Sequence, residues 1–229
     1  MENEEIQKIL SSARQTGWVL EPEAKRLLSL AGLEVPRFAW TTTVDDALAF
    51  ARQIGYPVVA KVVSPQALHK SDVNGVIAGV DGDSMLKGVF GRFQEIEGFS
   101  GMLVEEQLSG IELIVGAKIN YQFGPVILLG MGGTSVEVYD DTTLRMAPLR
   151  KDDPNQMVKA LKARPLLEGY RGAQPVDLPA LSRLLLGLSD LVLEIESFIE
   201  SMDLNPVICF KDKCVAADAR ILLKTDPEE

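Results

Sequence analysis

Along this chain the spacing of apolar positions changes character at about residue 111. Before that point, helix-spaced and strand-like runs take turns. Residues 1–16 predict a helix stopped at Gly17, and "EPEAKRLLSLAG" predicts a second, in which Pro22 suits the first turn. A strand within "VPRFAWT" leads to a helix opened by Thr43, with Asp46 three positions on in a capping-box arrangement, and closed at Gly55. "PVVAKVV" predicts a buried strand, a helix covers about 84–95, and "MLVEE" at 102–106 predicts another strand.

Beyond residue 111 the texture is that of antiparallel sheet. "IELIVGAKIN" and "PVILLGM" are β-rich runs joined by the turn signal "YQFG", which predicts a hairpin. A helix starts at "KDDPNQ", with an Asp cap and Pro154 near its first position, and a longer helix covers about 178–195. The final segment, "ESFIESMDLNPVICFKDKCVAADARIL", predicts two strands around the polar turn "KDK". Together these elements make a mixed α/β (α+β) chain. The linker signal at Gly98–Gly101 sets the expected division: a helical lead-in over 1–20, a first subdomain over 21–99 and a second over 100–229.

Composition narrows the function. With 229 residues, 46% hydrophobic and 24% charged, the chain can build one large domain or two modest ones. A formal charge of -10 argues against a broad nucleic-acid surface, while a small anion can still bind where a few cations and backbone N–H groups converge. The acidic N-terminus lacks a basic region leading into an apolar core, and no apolar run approaches the roughly 20 residues of a membrane span. The expectation is a cytoplasmic protein that needs no membrane. Cys209 and Cys214 have no companion ligands for zinc and are expected to be free thiols.

The terminal hairpin carries the clearest chemistry. Period-two spacing puts Asp203 and Asn205 on one face of their strand, and Asp218 and Arg220 on one face of the partner. A two-residue turn at Lys211 and Asp212, or a four-residue turn around it, sets Asn205 opposite Asp218 and Asp203 opposite Arg220. Oxygen donors suited to Mg²⁺ and a guanidinium suited to phosphate then share a patch. A solvated sheet face with one surface ion pair fits the same pattern. Lys61, within "PVVAKVVS", either snorkels out at the strand end or meets an anion, because an unpaired buried ammonium is costly. "MLVEEQLSGIELIVG" places Glu105 and Glu106 at a strand exit and Glu112 in the next strand; such an exit can hold an adenine edge through its backbone, and the same residues read equally as surface carboxylates. "GMGGTSVEV" matches neither a dinucleotide fingerprint nor a Walker A loop, yet its glycines call for a sharp turn or a close approach. His69, the single histidine, lies in "SPQALHKSDVNGV" on an expected exposed loop.

Six stretches give these pieces a common frame: "EPEAKRLLSLAGLEVP", "GYPVVAKVVSPQALHKSDVNGV", "QFGPVILLGMGGTSVEV", "LRMAPL", "LLEGYRGAQPVDLPAL" and "DLNPVICFKDKCVAADARI". In order and content the chain, from about Glu21 to Leu222, resembles the ATP-grasp beta subunit of ADP-forming acetyl-CoA synthetase, in the nucleoside-diphosphate-forming acyl-CoA synthetase family. The resemblance implies an ATP-grasp fold of two subdomains with the nucleotide between them. It implies that Lys61 contacts nucleotide phosphates, that Glu105, Glu106, Gln107 and Leu108 form the adenine hinge, and that Glu112 is a nucleotide-side carboxylate. By the same resemblance Asn205 and Asp218 are metal ligands for Mg²⁺, Arg220 sits near the transferred phosphate, and His69 carries a phosphoryl group.

Two departures stand out. Where the family has paired glycines after "HKSDV", this chain has Asn74-Gly75, and asparagine tolerates a left-handed backbone. Thr134 and Ser135 replace aliphatic residues after the double glycine, adding hydroxyls beside the expected phosphate path.

The implied reaction is acyl-CoA + ADP + phosphate ⇌ acid + CoA + ATP, catalysed by a heterotetrameric (alpha2beta2) ligase whose CoA-binding alpha subunit forms the acyl phosphate. Neutral imidazole is a competent nucleophile near pH 7, its reference pKa being about 6.5. Asp72 or Glu137 is expected to orient the His69 ring. The start at Met1 and the charged end "KTDPEE" read as a complete subunit. Two other functions compete: a stand-alone ATP-grasp carboxylate ligase, which needs no histidine, and a non-catalytic nucleotide-binding regulatory module.

Overall fold

The computed structural model describes residues 2–67, 69–133, 141–172 and 174–224. The chain forms two compact units. The smaller contains Pro36–Leu108 together with Leu20–Pro22; the larger contains Glu23–Val35, the residues before it up to Val19, and those from Ser109 onward. Among the described residues no helix is long and apolar enough to cross a membrane.

In the smaller unit, strands β2 (Phe38–Thr41), β3 (Val58–Val63), β4 (Val76–Val80) and β5 (Gly101–Glu106) form an antiparallel sheet in the order β2-β5-β3-β4. Helices Val44–Ile54 and Asp83–Gln94 turn their apolar stripes into one core with it: Ala47, Leu48 and Ala51 from the first, Leu86, Val89, Phe90 and Phe93 from the second. The first helix begins where the sequence expects it, with the Thr43 hydroxyl accepting from the Asp46 N–H at 3.2 Å, and stops at Gly55, whose φ of 89° suits glycine. β5 pairs on both edges, with β2 and with β3, and this carries the unit through Leu108. The boundary therefore lies beyond the expected Gly98–Gly101, since a strand paired on both sides cannot be left with the next unit. Strand β4 had no sequence signal, because as an edge strand it is mostly exposed and lacks alternation.

In the larger unit the sheet runs β1 (Trp18–Val19), β11 (Arg220–Leu223), β9 (Ile199–Phe210), β6 (Ile111–Asn120), β7 (Gly124–Met131), β8 (Thr142–Met146), with β10 (Lys213–Ala216) also pairing β9. Helix Leu178–Ile195, capped by the Asp177 carboxylate accepting from the Ala180 N–H at 2.6 Å, packs its leucines into the core formed with Leu113, Val115, Ile127, Leu129, Met202 and Leu204. Helix Glu2–Ser12 adds Ile6, Ile9 and Leu10 to the same core, so the expected lead-in is an integral part of this unit. The expected Asp cap falls on Asp152, whose side chain makes no capping bond; the Asp153 carboxylate accepts from the Arg150 N–H, ahead of the helix, at 2.6 Å.

The terminal hairpin turns at Lys211 and Asp212, with Lys211 left-handed at φ 49°. Its register pairs Cys214 with Cys209 and Arg220 with Asp203. That register corrects the reading of the cysteines: facing each other with Cα atoms 4.2 Å apart, they form a disulfide.

Candidate functional site

In the smaller unit Lys61 lies mid-strand, paired to Leu103 on one side and Val76 on the other, with its side chain only 6% exposed. It does not snorkel out. Its Nζ lies 2.7 Å from Glu21 Oε1 and 2.9 Å from Glu105 Oε1, both carboxylates being buried. The other oxygen of Glu21 forms an ion pair with Lys70. Removing such charges from water costs several kcal/mol each, so the cluster persists only because each charge is met by an opposite one. Glu21 is the residue sequence reasoning missed: as the first residue of helix Glu21–Leu30 it reads as an ordinary helix start, and nothing local points to a lysine 40 positions away.

His69 is exposed and immediately precedes a 3₁₀ turn over Lys70–Val73. Its carbonyl accepts from the Asp72 N–H at 3.2 Å, and the Gly75 N–H closes the turn on the Lys70 carbonyl at 2.7 Å. Asn74 adopts φ 50°, the left-handed conformation expected of it in place of glycine. Asp72 is exposed on this turn; Glu137, like Thr134 and Ser135, lies outside the described residues.

The expected hinge residues have defined partners. The Glu105 carboxylate is on Lys61, and that of Glu106 accepts from Arg37 Nε at 2.7 Å and from the Arg37 N–H at 3.0 Å. Gln107 Oε1 accepts from the Gly79 N–H at 2.6 Å, and the chain leaves this unit after Leu108. Side chains of Glu105 and Glu106 are thus engaged in shaping the small unit.

In the larger unit Glu112 is exposed on β6; Gly132 and Gly133 of "GMGG" lie against it, whereas Gly130 lies against Asp141 and Thr142. The Gly132 N–H donates to the Glu112 carbonyl at 2.8 Å, and a Cβ on Gly132 would stand 2.7 Å from that carbonyl carbon. Replacing Gly132 with alanine is expected to destabilise the unit by about 1–3 kcal/mol, read as a lower urea midpoint with unchanged slope.

Asn205 and Pro206 together face the single residue Ile114, a bulge between β9 and β6 of the kind that re-aims side chains next to functional sites. Asn205 is exposed there. Arg220 pairs with Asp203 across the ladder and reaches its Oδ2 at 3.3 Å. Asp218 falls in the break between β10 and β11, its Oδ1 accepting from the Ala219 N–H at 2.8 Å, while the Ala217 N–H bonds to the Pro206 carbonyl at 3.0 Å in the same register as the pairs on either side of the break. Burial pushes the Asp203 carboxyl up, Arg220 pulls it down, and Asp218 pushes it up again. An apolar depression of about 630 Å³ on the same face, lined by Gly116, Leu128, Leu144 and Met146 among others, ends at Asp203.

The raised Asp203 has a stability consequence. A carboxyl whose folded value is raised stabilises the fold fully below its unfolded value of about 3.9, and that contribution is lost as pH rises through the raised value. Asp203→Asn is therefore expected to weaken the fall of stability with pH above about 4, measured as urea midpoints against pH.

The donor set can accept a metal. Asn205, Asp218 and Asp203 offer hard oxygens, and the Asp203–Asp218 repulsion is what a divalent cation relieves. Among the described residues no group of three or more His, Cys, Asp or Glu stands together as a metal cage.

The pattern of the ATP-grasp domain matches residues 10–223. Over 213 residues the chain is 38% identical to the beta subunit of ADP-forming acetate–CoA ligase I of Pyrococcus furiosus, covering 90% of this chain and 91% of that one. It is 41% identical over 225 residues to ADP-forming acetate–CoA ligase I of Archaeoglobus fulgidus, covering 95% of this chain but 32% of that longer protein. Among solved structures, the dinucleotide-forming acetyl-coenzyme A synthetase 1 of Ca. Korarchaeum cryptofilum, in complex with coenzyme A and Mg-AMPPCP and with its phosphohistidine segment pointing towards the nucleotide binding site, superposes with a TM-score of 0.84 at 37% identity over 96% of this chain and 100% of that one. Matched nearly end to end by such relatives, the chain belongs to the ATP-grasp family, among the beta subunits of ADP-forming acetate–CoA ligases.

Proposed function

We propose that this chain transfers a phosphoryl group between His69 and Mg-ADP/ATP, as the beta subunit of a cytoplasmic ADP-forming acyl-CoA synthetase. A CoA-binding alpha subunit, in an alpha2beta2 assembly, completes the reaction acyl-CoA + ADP + phosphate ⇌ acid + CoA + ATP. The observation that carries the reading is the setting of His69: exposed, on a turn whose next residue is ion-paired to the carboxylate that holds Lys61.

In the direction of phosphoenzyme formation from ATP, a neutral imidazole nitrogen of His69 attacks the γ-phosphorus, the bond to the β,γ-bridging oxygen breaks, and ADP leaves with that electron pair. Reversal gives ATP. Phosphoryl transfer asks chiefly for alignment and neutralisation of charge. Lys61 supplies a cation for the nucleotide phosphates and Arg220 one for the moving group, while Glu105–Leu108 and Glu112 orient the nucleotide. Asn205 and Asp218 hold Mg²⁺, which when bound neutralises charge on the nucleotide phosphates. An exposed side chain such as His69 can change its position without unpacking a core.

Incubation of the chain with Mg-ATP labelled in the γ-phosphate tests the reading. Acid-labile, base-stable label on the protein is the expected result. A protein that takes no label, with or without its alpha partner, overturns it.

A further inference from the structure

The geometry points to Glu21 as a positioning residue that links the nucleotide cation Lys61 to the loop carrying His69. This rests on the reading above that Lys61 binds nucleotide phosphate. The two oxygens of the Glu21 carboxylate serve different lysines: Oε1 lies 2.7 Å from Lys61 Nζ, and Oε2 is ion-paired with Lys70. Lys70 is the residue after His69 and opens the 3₁₀ turn. The four side chains are 3–15% exposed, so the network is shielded from water and from salt. Among these four groups the formal charges balance, Lys61 and Lys70 against Glu21 and Glu105.

A nucleotide phosphate arriving at Lys61 upsets that balance, because it brings negative charge beside two buried carboxylates. Glu105 lies within β5, paired on both sides, and its strand cannot shift without breaking the sheet. Glu21, the first residue of its helix, is the carboxylate that can yield. When it yields, Lys70 loses that ion pair and the turn bearing His69 is held less firmly. Occupancy of Lys61 and restraint of the His69 loop are then thermodynamically linked, and the linkage is reciprocal: a loop held by Lys70 and Glu21 disfavours the nucleotide, and a bound nucleotide disfavours the held loop.

Hydrogen exchange of the full chain reads this linkage at the amides of Asp72, Asn74 and Gly75, whose hydrogen bonds close the turn. Affinity for Mg-ADP is measured in parallel by calorimetry. In the wild type, saturating Mg-ADP is expected to speed exchange at these amides at least about five-fold, the lower end of ordinary coupling factors. In Glu21→Gln exchange is expected to be fast with or without Mg-ADP, and Glu21→Asp is expected to restore part of the dependence. Lys70→Gln, which leaves Lys61, Glu21 and Glu105 in place, is expected to give the same nucleotide-independent exchange and serves where Glu21→Gln fails to fold. Glu21→Gln or Lys70→Gln responding to Mg-ADP as the wild type does overturns the inference. A wild type that binds Mg-ADP with no change in loop exchange also overturns it and leaves the nucleotide reading standing, whereas a wild type that does not bind Mg-ADP overturns both.

Discussion

Replacing His69 with alanine should abolish ATP formation from acyl-CoA, ADP and phosphate in the assembled enzyme, with a loss on the order of 10⁴-fold or more, because removal of a covalent nucleophile leaves only what binding and electrostatics contribute. Stability should stay within about 0.5 kcal/mol of the wild type, since the side chain is exposed and the turn closes through backbone bonds. Affinity for Mg-ADP should hold as well. This combination separates the phosphotransfer reading from its rivals. A stand-alone carboxylate ligase keeps its activity in His69→Ala, and a regulatory module has none to lose. Coupled assays with the alpha partner, beside calorimetry with Mg-ADP, decide among the three.

Replacing Lys61 with methionine should act on both fold and function. Methionine fills the space but takes away the ammonium that Glu21 and Glu105 share in a buried setting. Breaking a buried ion pair from one side costs about 3–5 kcal/mol, because the remaining charge keeps its desolvation penalty. A drop of that size in urea unfolding free energy is expected, together with loss of Mg-ADP affinity. Adding Glu105→Gln should return much of the stability, since Glu21 retains Lys70, but none of the affinity. A Lys61→Met chain as stable as the wild type would contradict the buried cluster, and one that binds Mg-ADP normally would contradict its role at the phosphates.

What could be read from the sequence follows from the range of the forces involved. The Thr43 cap and the Gly55 stop are set by neighbours within one turn, and both are found where local rules put them. Hairpin register is similarly local: one turn at Lys211 and Asp212 fixes Arg220 opposite Asp203, the strand residues between being carried along by period two. The same register made the Cys209–Cys214 pairing available, but composition pointed to free thiols, and spacing alone cannot tell a facing pair from two separate ones. Glu21 reaching Lys61 was invisible, because it depends on how a helix start is brought to a strand far along the chain. Strand β4 was hidden for another reason: an exposed edge carries no clean alternation. For Lys61 the sequence left two outcomes open, snorkelling out or meeting an anion; that it is the second, and that the anion is a pair of buried carboxylates, required the structure.

The most direct measurement of phosphoryl transfer through His69 is a chase. Protein labelled from γ-labelled Mg-ATP, freed of nucleotide, is mixed with unlabelled Mg-ADP and quenched over time. The account predicts that label maps to the peptide containing His69, leaves the protein on adding Mg-ADP, and appears in ATP. Label that stays on the protein in the presence of Mg-ADP, or that maps to any other residue, would contradict it.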